Sequence, residues 1–245
     1  MLVLLPPSET KRDGGPDAAL DLAALAFPEL TPYRKAALAA LKQLSRNVGA
    51  SSSALGLGPT QRFEIDRNRS LRVSPVLPAI ERYTGVLYDG LAVGTFSRAQ
   101  RVFADNHVVI HSALFGLLRA GDAIPAYRVS HDSRLPGLSL RTMWREPLST
   151  VLASASGLIL DLRSESYVHL GPAPPSAVYV RVFSENASGR RTALTHFNKK
   201  AKGEFVRALI AAEIDHASVG SLLDWAGADG ISLSRGTAGE LELTV

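Results

Sequence analysis

Three stretches of this chain set hydroxyls and cations just past apolar runs, and a fourth gathers cations at the start of a helix. Ser8, Glu9, Thr10, Lys11 and Arg12 follow residues 1–5, which read as a core strand that Pro6 and Pro7 end, because neither ring nitrogen can donate to a sheet ladder. His111, Ser112, Arg119, Asp122, Tyr127 and Arg128 lie on what reads as a loop after the β-branched run 108–110. Arg163, Ser164, Glu165 and Tyr167 follow GLILDL at 157–162, and Lys199, Lys200 and Lys202 sit near the start of a helical repeat. Such groups suit oxyanions. Lysine and arginine take phosphate or carboxylate, and Ser8 or Tyr127 could donate a hydroxyl or attack as a nucleophile. Lys11 or Lys199 could act as an acid, or as a base once neighbouring cations lower its pKa. A fifth stretch, Gly56-Leu57-Gly58-Pro59 with Arg62 beyond it, is either a plain Gly-rich connector or the tight turn of a helix-hairpin-helix element, whose backbone N–H groups can hold a phosphate without reading a base.

Composition narrows the chemistry. With no cysteine among 245 residues, disulfides, thiolate nucleophiles, iron–sulfur ligation and cysteine zinc sites are excluded. The six histidines, His107, His111, His131, His169, His196 and His216, lack the close spacings of metal motifs, so neither a metal nor another cofactor is expected. There is no Gly-x-Ser-x-Gly elbow, no Walker loop and no dinucleotide fingerprint, which weighs against an enzyme without excluding one. A formal charge of +4 favours anionic partners only weakly, since clustering on a face, not the total, identifies a nucleic-acid surface. The apolar start has no basic lead-in and is broken by two prolines, so no signal peptide or membrane span is expected; a monomer in the cytoplasm is the default.

The elements that must position these groups alternate between strand and helix. The Thr31-Pro32 pair marks a helix start, with Ala37, Leu38, Leu41 and Leu44 on its apolar face. Residues 140–152 read as an amphipathic helix with Trp144 in the core despite Pro147, and 177–183 as a strand with one wet face, paired through a turn at 186–189 with a strand at 191–196. Ala201, Phe205, Ala208, Leu209 and Ala212 share one face of a long helix, and three lysines near its start oppose the helix dipole, a cost that a bound anion would offset. A last short helix is expected at 218–225 and an edge strand at 241–245. The polar ends after Leu5, Ile110 and Leu162 converge only if their strands are parallel neighbours. The order predicts one α/β domain over 1–245, a mixed β-sheet core surrounded by helices, with a helical insertion at about 31–66 carrying the hairpin element.

Together these stretches resemble the YaaA family of bacterial peroxide-stress proteins. The likeness covers nearly the whole chain. It lies in the Pro7-Ser8-x-Thr10-Lys11 loop, the turn and Arg-Phe at 55–63, and Tyr83-Thr84-Gly85. It continues in Ser112-x-Leu114-Phe115-Gly116-x-Leu118-Arg119 with Asp122, Pro125 and Tyr127-Arg128, and in Trp144, Ser164, Tyr167 and Lys199-Lys200-Ala201-Lys202-Gly203. The chain departs from the family pattern at Ala120-Gly121, at Ala126 between Pro125 and Tyr127, and at Lys202, where arginine is usual. The resemblance implies a mixed α/β fold with a helix-hairpin-helix element, a positively charged cleft, affinity for duplex or distorted DNA, and a role in limiting oxidative damage linked to intracellular iron. On that reading Lys11, Arg62, Arg119, Arg128, Lys199, Lys200 and Lys202 contact phosphates, with Gly56, Gly58 and Ser112 in the same interface. The alternative is an enzyme acting on a small anionic or nucleotide-like substrate in the same cleft, with Ser8, Lys11, Tyr127 and Lys199 as its catalytic candidates.

Overall fold

The computed structural model describes residues 1–16, 18–185, 191–193 and 197–245. Its strands are β1 (Leu2–Leu5), β2 (Leu77–Pro78), β3 (Val108–Ser112), β4 (Gly116–Arg119), β5 (Ala123–Ile124), β6 (Ile159–Asp161), β7 (Val178–Glu185), β8 (Arg191–Ala193), β9 (Leu233–Arg235) and β10 (Glu240–Thr244). Its helices are α1 (Thr31–Leu44), α2 (Val48–Ala54), α3 (Phe63–Arg69), α4 (Ala79–Arg82), α5 (Val86–Leu91), α6 (Arg98–His107), α7 (Leu140–Ala153), α8 (Glu165–Leu170), α9 (Phe197–Ala212) and α10 (Val219–Ala228).

The mixed α/β fold is the one expected. One sheet runs β4-β3-β1-β6-β7-β10-β9, with β8 also paired to β7. The pairs β1–β3, β1–β6, β6–β7 and β7–β10 are parallel, so five strands end at one edge of the sheet. Every residue of β1, β3 and β6 is buried, the pattern of strands covered on both faces. Leu5 pairs with Ile110 and Leu4 with Asp161, which makes the strands carrying the first three polar ends direct parallel neighbours. Crevices beyond the carboxyl ends of parallel strands are where such sheets hold ligands.

Several expectations need correction. The stretch after Ile110 is not a loop: β3 turns at 113–115 into the antiparallel strand β4, with Ser112 opposite Gly116 and Val109 opposite Arg119. Gly116 makes that reversal possible, because its φ is +70° and a Cβ there would fall 2.8 Å from the Trp144 ring. The C-terminal strand is not an edge, since β10 lies between β7 and β9, and β9 caps the sheet instead. The expected turn at 186–189 and the end of its partner strand at 194–196 lie outside the described residues. Among the described residues, no helix is long and apolar enough to cross a membrane.

Two helices meet closely enough to need glycine on both sides. A Cβ on Gly203 of α9 would lie 2.0 Å from the Leu87 carbonyl oxygen, and one on Gly90 of α5 would lie 2.7 Å from the Lys200 carbonyl oxygen. Since both obstacles are backbone, neither can swing aside. The crossing fixes the first turns of α9, and with them the lysines, against the sheet.

Candidate functional site

A cavity of about 680 Å³ opens beyond the carboxyl ends of β1 and β6 and alongside β7. Its walls are a strap after β1 (residues 6–10), the α4–α5 junction (84–88), residues 129–131, the end of β6 with the start of α8, strand β7, and the first turns of α9. The volume lies within the usual range for a small-molecule site, roughly 300–1,000 Å³. Its lining carries both signs of charge: Lys199, Lys202 and Arg181 beside Glu9 and Glu165.

The strap is sewn down from behind. Lys11 is 7 % exposed, and its Nζ donates to the carbonyl oxygens of Ser8 (2.9 Å) and Glu9 (3.2 Å) while sitting 4.1 Å from the centre of the Tyr127 ring. Thr84 Oγ1 donates to Thr10 Oγ1 (3.0 Å), and Thr10 Oγ1 in turn donates to the Thr84 carbonyl (3.3 Å). Burial pulls the Lys11 ammonium down from 10.5 to about 7, against the opposing pull of Glu64 and with help from Arg128. Lys11 therefore holds the strap in place and does not line the cavity.

The expected site residues divide. Ser8, Lys199 and Lys202 line the cavity. Lys199 is exposed and has no acidic partner among the described residues, whereas Lys200 faces outward and pairs with Glu204 one turn later (3.4 Å). Lys202 is 5 % exposed; its Nζ donates to the Leu162 carbonyl (3.0 Å) and sits 5.1 Å from the centre of the Tyr179 ring. Burial lowers its pKa to about 8, with Asp161 pulling the other way.

Other candidates sit elsewhere, for physical reasons. Tyr127 and Ser112 are buried behind the strap, where the Tyr127 hydroxyl meets both Ser112 Oγ and the Tyr83 hydroxyl at 2.7 Å. Desolvation pushes the Tyr127 phenol up to about 12, which unfits it for proton transfer near neutrality. Arg119 lies opposite Val109 at the amino end of β3, away from the cavity edge, because β4 reverses; its guanidinium bonds to the Asn106 carbonyl and stacks on Phe27. Gly56, Gly58 and Arg62 do not line the cavity. The Gly58 N–H is already given to Gln61 Oε1 (3.0 Å), so that turn does not offer this donor to an anion. Arg128 is buried beside the strap and pairs with Glu9 (2.7 Å).

Sequence reasoning missed the network under the floor. Arg163 is fully buried and donates through Nε and Nη2 to Asp161 (2.8 and 2.6 Å), and through Nη1 to the Gly171 carbonyl (2.8 Å) and His111 Nδ1 (3.0 Å). Because the guanidinium can only donate, His111 Nδ1 accepts and the proton of the neutral ring sits on Nε2. Burial, with Arg163 adjacent, holds the imidazole well below its usual pKa. Tyr88 and Tyr179, which line the cavity, spend their hydroxyls on the carbonyls of Pro6 and Arg163 (2.9 Å each), leaving ring edges and faces for a ligand. Among the described residues, no group of three histidines or carboxylates could hold a metal.

The arrangement is that of an α/β protein with a cavity at the carboxyl edge of its sheet. The family model described as "Peroxide stress protein YaaA" matches residues 1–229, so the chain belongs to that family. A UPF0246 protein of Corynebacterium efficiens is 42 % identical over 252 residues, covering all of both chains. One from Corynebacterium glutamicum is 40 % identical over 94 % of each, and one from Streptomyces coelicolor 39 % identical over 86 % of this chain and 83 % of its own.

Proposed function

We propose that this member of the peroxide-stress family serves that response by binding DNA through backbone phosphates at the mouth of the cavity, selecting structure rather than sequence and limiting oxidative damage linked to intracellular iron. The observation that carries the reading is the pair Lys199 and Lys202, three residues apart on α9 and both on the cavity wall, the former without a carboxylate partner among the described residues. Point charges of that kind hold phosphate without reading bases. Binding of a short duplex, followed by fluorescence anisotropy across a salt series, tests it. Affinity should fall linearly in the logarithm of salt with a slope of about −0.9 per phosphate engaged, and Lys199→Ala should reduce that slope by about one contact. A slope near zero would overturn the reading.

A second reading is favoured by the shape of the site. The cavity is walled on several sides, and the Gly56 turn is not on its lining, so the size suits one anionic or nucleotide-like molecule better than a long groove. Here Ser8 would supply a hydroxyl and Lys202, its pKa lowered to about 8, would be a proton acceptor. A mononucleotide that displaced the duplex at equal ionic strength would favour this reading; one that left the duplex bound would favour the first.

A further inference from the structure

Arg128 is held by fewer bonds than the other buried arginines, and Arg163, which also binds a carboxylate, binds one that is itself buried, Asp161. Arg34 and Arg82 give their N–H groups to backbone carbonyls such as those of Phe115, Leu117 and Ile124, which cannot leave. Arg128 is 8 % exposed, its Nε is buried with no partner among the described residues, and its guanidinium is held by one carboxylate, Nη2 to Glu9 Oε2 at 2.7 Å. That carboxylate is movable: the Glu9 side chain is 62 % exposed on the cavity wall. A planar donor fork is therefore using one prong of two.

We propose that the Arg128 guanidinium is an oxyanion subsite of the cavity, that the Glu9 carboxylate occupies it in the unliganded protein, and that a phosphate group binds by taking Glu9's place. This rests on the reading of the cavity as a phosphate site. Glu9 swings into water at little cost, because most of its side chain is already there, whereas Arg128 is nearly all buried behind it. A phosphate offers oxygens to Nη2 and Nε together, and so satisfies the donor that Glu9 leaves unmade. The strap need not move, since Lys11 holds it by the carbonyls of Ser8 and Glu9 and not by the departing side chain.

The test is calorimetric titration of the full chain with inorganic phosphate, and separately with a short DNA duplex, at one fixed ionic strength. Glu9→Gln should bind inorganic phosphate about fivefold more tightly than the native protein, the size of a partly exposed ion pair no longer competing. Glu165→Gln removes the same charge from the same cavity but not from Arg128, and should change affinity by under about twofold. In an Arg128→Lys background the Glu9→Gln gain should vanish. A gain with both probes makes a DNA phosphate the displacing group, and a gain with inorganic phosphate alone makes it a free one. The proposal is overturned if Glu9→Gln binds no tighter than native protein, or if Glu165→Gln gives the same gain. The comparison of those two exposed carboxylates stands even if Arg128→Lys folds poorly. Should neither native protein nor Glu9→Gln bind either probe, the phosphate reading of the cavity falls as well; should native protein bind with no gain in Glu9→Gln, only the exchange falls.

Discussion

The residues that organise this cavity are mostly cations withdrawn from water. Lys11 shows what that withdrawal does to stability. With its pKa lowered from 10.5 unfolded to about 7 folded, the native state binds fewer protons than the unfolded chain between those values. The burial penalty is full below pH 7, shrinks as pH rises, and is gone above 10.5. Whatever the loss of the strap bonds costs, the stability of Lys11→Met relative to the native protein should accordingly fall from pH 6 to pH 10 by an amount on the order of a few kcal/mol, read from urea midpoints across pH. A difference between variant and native protein that stayed flat with pH would refute the assignment. Arg163 is the opposite case: removing it as Arg163→Met strands Asp161 and should cost about 3–5 kcal/mol, part of which Asp161→Asn in the same chain should restore. None of this was legible in the sequence. Arg34, Arg82 and Arg163 look like any surface arginine until carbonyls from distant segments, such as Phe115 and Leu117 around Arg34, converge on them.

Among the elements, α9 couples fold to site. Its lysines reach the cavity only because Gly203 lets it press against α5, and a methyl at that position meets a carbonyl that cannot move. Gly203→Ala should cost about 1–3 kcal/mol in chemical denaturation, the usual range for overpacking, and should also weaken phosphate binding by shifting Lys199 and Lys202. A variant that lost stability but bound normally would show that the lysines do not depend on the crossing. The helix and its apolar face were readable from the 3.6-residue period, as were the buried runs of β1, β3 and β6. The reversal at 113–115 was not, because the β4 residues Leu117 and Leu118 are as apolar in a loop as in a strand, and only the left-handed Gly116 marks the turn. Residues 241–245 were misread as an edge because alternation reports one covered face and says nothing of how many neighbours flank the strand.

Across the whole molecule, the sheet is completed by residues beyond the reach of the family match, which ends at 229 while β9 and β10 occupy Leu233–Arg235 and Glu240–Thr244. Deleting residues 233–245 should remove Leu241 and Leu243 from the core, a loss of about 3–6 kcal/mol, and leave β7 with a bare edge beside the cavity. Thermal melting checks the first consequence and phosphate titration the second. A truncated chain as stable as the full one would make the last two strands dispensable.

The position of β1 reaches beyond the finished structure. Strand β1 lies between two partners, β3 and β6, that are translated about a hundred and about a hundred and sixty residues later. Four consecutive apolar residues, LVLL, must wait for both, so the nascent chain carries an unsatisfied sticky segment until both have been made. A chaperone that engages short apolar segments should therefore hold this protein longest by Leu2–Leu5, and let go only when Ile159–Asp161 has emerged.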